Sequence, residues 1–135
     1  MDVFEAIRTR RSLKPNLLKP DPVDRALLER LFEAANWAPS HGLTEPWRFI
    51  VFEGESRRAL LEAVLDTMRS PGEAKIPDGD ARRTSTAEKF LGPPVTIAIV
   101  CAGSTNPKIV EHEEIASTAM AVQNLHLAAR ALGLG

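Results

Sequence analysis

Two prolines bracket the stretch that most limits how this chain can fold. Pro39 and Pro46 lie on either side of Ser40-His41-Gly42-Leu43-Thr44-Glu45. Proline has no backbone donor and pushes the residue before it out of the helical region. A helix arriving through Ala34, Ala35 and Trp37 therefore stops at Ala38, and Pro46 forbids an ordinary restart. Ser40, His41, Gly42 and Thr44 are loop chemistry. Trp47 to Phe52 is then apolar except for Arg48, and β-branched Ile50 and Val51 suit a strand. The order is helix, polar loop, strand, an arrangement in which a rigid scaffold presents a ligand site.

The flanking segments supply that scaffold. Asp2 to Arg11 reads as a helix with Val3, Phe4 and Ile7 on its buried stripe. Its last residues, Arg8, Arg10 and Arg11, either offset the helix dipole or hold an anion; the residues alone leave both readings open. Pro15 to Pro22 is a connector. Asp21 as N-cap, Pro22 at the first helical position and Asp24 in the first turn then open a second helix. Val23, Leu27, Leu31 and Ala34 recur on its core face, with Leu28, Phe32 and Ala35 beside them. Ser56 is placed to cap a helix running to about Arg69. Ser70 to Asp80 reads as a mobile loop or lid, and Asp80 to Leu91 as a further helix. Gly92-Pro93-Pro94 ends it, and Val95 to Ala102 is a β-branched strand expected to be buried on both faces, with Cys101 as a small hydrophobe inside. Glu111-His112-Glu113-Glu114 lacks metalloprotease spacing and reads as an acidic first helical turn rather than a metal site. Ile115 to Leu132 is the longest helix, rich in alanine. Its small residues allow close approach at the centre of the fold or at a subunit interface, and Gly133 and Gly135 end it.

Composition narrows the function. The 135 residues suit one domain, 1–135, and 17 basic against 18 acidic residues give a net charge of −1. That balance exerts no general pull on nucleic acid or an anionic membrane. No apolar run approaches the roughly 20 residues of a membrane helix. The first residues lack a signal peptide's apolar core, and one cysteine excludes an intrachain disulfide framework. A cytoplasmic protein is expected. No Gly-x-Gly-x-x-Gly is present, so a Rossmann dinucleotide site is not indicated.

Three motifs together carry a resemblance. Ala38-Pro39-Ser40-His41 with Glu45-Pro46-Trp47-Arg48-Phe49, the early Arg10-Arg11-Ser12-Leu13-Lys14, and the late Gln123-Asn124-Leu125 to Leu132-Gly133 resemble the flavin (FMN)-dependent nitroreductase family. The resemblance implies an α+β fold, a central mostly antiparallel sheet flanked by helices, in a homodimer whose subunits build each flavin site between them. It implies that Arg10 and Ser12 hold the FMN phosphate and ribityl chain, with Arg11 as a neighbour, and that Lys14 reaches the pyrimidine edge. Trp37 reads either as ordinary packing or as a neighbour of the flavin, and His41, by itself a solvated or capping loop side chain, would on the resemblance touch FMN. Ala128, Ala129, Arg130, Ala131, Leu132 and Gly133 would lie near the nicotinamide-nucleotide path, although Gly133 reads equally as a plain helix stop. NAD(P)H would reduce the flavin, and a small acceptor such as a nitroaromatic or quinone would leave reduced. The chain itself would supply position and charge but no catalytic group. The relatives usually carry an amide where this chain has Glu45, and an ionised carboxylate cannot donate. They also continue past Gly135 with another strand and further phosphate-binding residues, so the chain is expected to be C-terminally short. Two rivals remain: other flavin chemistry, such as a dehydrogenase or dehalogenase, and a flavin-free dimerising domain.

Overall fold

The computed structural model describes residues 1–135. Its elements are α1 (Val3–Thr9), α2 (Arg25–Asn36), β1 (Trp47–Glu53), α3 (Ser56–Thr67), α4 (Ala81–Leu91), β2 (Val95–Cys101) and α5 (Glu111–Ala131). β1 and β2 pair into a two-stranded sheet. The Ala102 amide donates to the Pro46 carbonyl at 2.7 Å, which fixes the antiparallel register. The chain forms two compact units interleaved in sequence. One holds residues 1–12, 23–50 and 98–135; the other holds 13–22 and 51–97.

The first unit is built on α2 and α5. Leu28, Leu31 and Ala35 recur at helical spacing on α2, and Glu114, Ser117, Thr118, Ala121 and Leu125 do so on α5; all are buried. Ala35 and Ala121 expose 0% of their surface, so neither leaves side-chain bulk to hold the helices apart. Asn124 Nδ2 donates to the Ala34 carbonyl at 3.3 Å and ties the same two helices. Alternation along β1 turns Trp47 and Phe49 inward and leaves Arg48 and Ile50 exposed. Phe49 stacks on Phe32 with ring centroids 5.3 Å apart, and Trp47 Nε1 donates to Asn36 Oδ1 at 2.9 Å. This unit therefore fixes both ends of the polar loop between the prolines.

Several local expectations need correction. α1 is shorter than Asp2–Arg11, and it buries Ala6 while Val3, Phe4 and Ile7 stay exposed. Asp24, not Asp21, caps α2: its carboxylate accepts from the Ala26 amide at 3.0 Å, and Pro22 lies before the helix. Ser56 bonds back to Glu53 through both backbone groups instead of capping α3. β2 is at most half-buried, and Ile99, Val100 and Cys101 are exposed, because β1 alone pairs with it. α5 begins earlier than Ile115, so the acidic run forms its first turn.

In the second unit the segment expected to be mobile is anchored. Ile76 exposes 2% of its surface and inserts against Leu61 and Leu65, with Ala87, Phe90 and Leu91 around it. Charge pairs pin the flanks: Arg82 reaches Glu73 at 2.6 Å and Asp80 at 2.9 Å, and Arg83 pairs with Glu62 and with Asp78. A side chain at Gly92 would meet the Glu88 carbonyl at 2.6 Å, so glycine is required where α4 ends. Arg57 donates to the Leu91 and Pro93 carbonyls there.

Two outcomes follow from this packing. Ile76→Ala should cost about 2–5 kcal/mol in urea denaturation, the range for emptying a buried aliphatic site, and should expose Lys75 to trypsin. Arg83 and Lys75 hold the Glu62 carboxyl below its usual range, and Arg82 does the same for Glu73 and Asp80. Their contribution is complete above the unfolded carboxylate values near about pH 4 and fades as pH falls through the lowered folded values. Thermal melts from neutral to acid pH should show Arg82→Met losing less stability on acidification than the parent chain.

Candidate functional site

The loop between the prolines is held in an uncommon conformation. Gly42, Leu43 and Glu45 have φ of 62°, 56° and 42°. The left-handed region costs a residue with a Cβ roughly 1–2 kcal/mol, so surrounding contacts have to impose it at Leu43 and Glu45. Ser40 Oγ accepts from the Glu45 amide at 3.2 Å, and Arg48 donates to the Glu45 carbonyl at 2.8 Å. An added Cβ at Gly42 would stand 3.0 Å from Ile109 Cδ1, so the following chain presses on the loop.

The first turn of α5 grips two loops at once. Glu113 Oε2 lies 2.7 Å from His41 Nδ1, and this hydrogen bond holds the Glu113 carboxyl below its usual range. The next residue, Glu114, is 4% exposed, and both its oxygens accept from the Ser104 amide at 2.9 and 2.8 Å. One turn on, Thr118 is buried with no partner for its hydroxyl. The charge pattern read along the chain explains why an acidic turn suits a helix start. It gives no sign of which distant loops the two carboxylates hold, and both roles escaped it.

A second group gathers at the C-terminus of α1. Arg130 Nε donates to Thr9 Oγ1 at 2.9 Å, which places it there. Burial lowers the affinity of His126 for a proton, and the Arg10 charge adds to the effect. Arg11 donates to the Arg8 and Arg10 carbonyls at 2.7 and 2.8 Å, so its guanidinium caps the helix. Arg10 and Ser12 make no side-chain hydrogen bond. No carboxylate pairs with Arg8, Arg10, Arg11 or Arg130. This is a cluster of guanidinium groups without a counter-charge from the chain.

Trp37 is 81% exposed and lines an open groove of about 300 Å³ with Arg30, Glu33, Ala34, Ala128, Ala131 and Leu132. The structure thus joins Trp37 to the late alanine segment. Gly133, at φ 79°, completes a Schellman motif in which the Leu134 amide donates to the Ala129 carbonyl at 2.9 Å, so its helix-stop role accounts for the glycine. Lys14 belongs to the second unit, where it precedes the short 3₁₀ turn Pro15–Leu17 and is exposed.

These features define a mixed α/β chain with a strained loop and an uncompensated basic cluster. Residues 7–135 match the Nitroreductase family. The chain belongs to that family. It is 30% identical over 131 residues to a Bacillus subtilis (strain 168) protein provisionally named NAD(P)H nitroreductase YfhC, covering 97% of this chain. It spans 65% of that relative's length. Among solved structures, a nitroreductase-like family protein from Bacillus cereus superposes with a TM-score of 0.82 at 30% identity, covering 100% of this chain and 67% of the other. A variant of the FMN- and NADPH-dependent nitroreductase NfnB from Sphigopyxis sp. strain HMH gives 0.73 at 25% identity, covering 98% and 71%.

Removing the buried grip on Ser104 has a defined cost. Glu114→Ala leaves that amide without its charged acceptor and should destabilise the chain by about 1.5–3 kcal/mol. Equilibrium denaturation, with amide exchange at Ser104 rising in parallel, checks it.

Proposed function

We propose that this chain contributes to an FMN-dependent oxidoreductase that takes reducing equivalents from NAD(P)H and delivers them to a small electron-poor acceptor. The observation that carries the reading is the basic cluster at the end of α1, whose Arg10 lacks any carboxylate partner. A phosphate monoester calls for a planar guanidinium and a short hydroxyl donor, which Arg10 and Ser12 offer. The donor set therefore fits FMN at its phosphate end. Arg11, committed to the helix carbonyls, adds charge but no free fork. Lys14 is the cation proposed for the flavin's pyrimidine edge, where positive charge favours the reduced ring.

FMN, when bound, supplies the hydride and electron chemistry. The chain's own work is to grip, orient and charge the site. The His41 loop would bear on the flavin, and the groove beside Trp37, Ala128, Ala131 and Leu132 would pass the nicotinamide nucleotide or the acceptor. A nitroaromatic or quinone is the proposed acceptor class. The similar proteins, described as NAD(P)H or FMN- and NADPH-dependent nitroreductases, support the reading.

A homodimer is the proposed assembly, one copy's site being completed by the other. Exposed Phe4, Ile7, Trp37 and Leu43, all in the first unit, support this, since a lone soluble unit gains nothing by showing such side chains to water. We place the protein in the cytoplasm.

Arg10→Ala tests the phosphate assignment. Losing a charge-assisted bond worth about 1.5–3 kcal/mol should weaken FMN binding roughly 10- to 150-fold in a fluorescence-quenching titration. An unaltered affinity would remove Arg10 from the site.

A further inference from the structure

We propose that Glu113 is a positioning residue for His41: it holds the imidazole by Nδ1, fixes the loop between Pro39 and Pro46, and leaves Nε2 as the atom offered to a ligand. The inference deepens the flavin reading and rests on it for the identity of that ligand. Its geometry stands on the chain alone.

The contact joins residues far apart in sequence, with His41 Nδ1 at 2.7 Å from Glu113 Oε2. Glu113 is set by the first turn of α5, and that turn is itself locked by its neighbour Glu114 on the Ser104 amide. The carboxylate is thus presented from a rigid element, whereas the loop it meets contains two non-glycine residues in the left-handed region, Leu43 and Glu45. Local preference would not keep those residues there. Three ties do: Ser40 Oγ on the Glu45 amide, Arg48 on the Glu45 carbonyl, and Glu113 on His41. Arg48 reaches in from β1, and Glu113 from α5, far along the chain.

A carboxylate is acceptor-only when ionised, so Nδ1 must carry the hydrogen it donates. That fixes the tautomer. In the neutral ring Nε2 is then an acceptor, and the side chain keeps 55% of its surface open. A neutral His41 held this way cannot donate to phosphate. It takes a hydrogen bond from an N–H or O–H donor, such as a ribityl hydroxyl or the imide of a flavin ring. In that neutral form His41 is separated from the phosphate site that Arg10 and Ser12 would form.

The test compares the full chain with Glu113→Ala and Glu113→Gln. In ¹⁵N–¹H correlation spectra of the flavin-free protein at about pH 8, His41 should show the Nδ1–H tautomer. Glu113→Ala should shift it to Nε2–H, and Glu113→Gln, which keeps an acceptor oxygen, should preserve Nδ1–H. Amide exchange over residues 42–45 should quicken roughly 2- to 5-fold in Glu113→Ala, the scale of an exposed ion pair, with Ser104 unchanged. FMN affinity should fall by a comparable factor in Glu113→Ala and recover in Glu113→Gln. An Nε2–H tautomer in the parent chain, or a Glu113→Ala spectrum and exchange matching the parent, overturns the proposal. So does an unchanged FMN affinity beside a loosened loop. If the parent binds no FMN, the flavin reading fails by itself, and the tautomer and exchange still decide whether Glu113 holds His41.

Discussion

Close approach of α2 and α5 is the constraint on which the first unit depends. Ala35 and Ala121 have no exposed surface, and any larger side chain at either would push the helices apart. The consequences reach the site directly. Asn36 and Trp37, at the end of α2, set the start of the polar loop, and Asn36 also anchors Trp47 at the loop's far end. α5 delivers Glu113 and Glu114 at one end and Arg130 at the other. One helix pair thus positions the strained loop and the basic cluster. A buried stripe whose first half is Glu114, Ser117 and Thr118 is an unusual core. Its Glu114 carboxylate holds the Ser104 loop, while the Ser117 hydroxyl bonds back to the Glu113 carbonyl of its own helix.

The site combines two kinds of order. The loop between the prolines is strained and tied, so its shape exists before any ligand arrives. The cluster at the end of α1 is charged, and no carboxylate pairs with its guanidinium groups. Preformed backbone lowers the ordering cost of binding, and unsatisfied charge provides the attraction. A phosphorylated, partly aromatic cofactor meets both conditions.

Elements whose signal is local were readable from the residues. Pro39 and Pro46 define the loop, the alternation from Trp47 defines β1, and the apolar spacing of Leu28, Leu31 and Ala35 defines the core face of α2. Failures arose where two local candidates competed or where a distant partner decided. Asp21 and Asp24 are both sound caps, and side-chain reach to the Ala26 amide selected the second. The stripe Val3, Phe4, Ile7 has core spacing, yet α1 lays Ala6 inward and leaves the larger residues exposed. Ser70 to Asp80 has the composition of a free loop, but a single buried Ile76 and the Arg82 and Arg83 pairs fasten it. At the site, the motifs point to Arg10, Ser12 and His41. Glu113 and Glu114 carry only a dipole signal in the sequence, since nothing near them points to His41 or Ser104.

The central claim is that the guanidinium cluster beside α1 is built for a phosphate. Comparing the affinities of FMN and riboflavin, which differ by that phosphate alone, tests it most directly. Titration at low and moderate salt should show FMN binding at least about tenfold tighter, as one charge-assisted contact requires, with the gap narrowing as salt screens the cluster. Equal affinity for the two at low salt would contradict the account and leave the arginines as caps of their own helix.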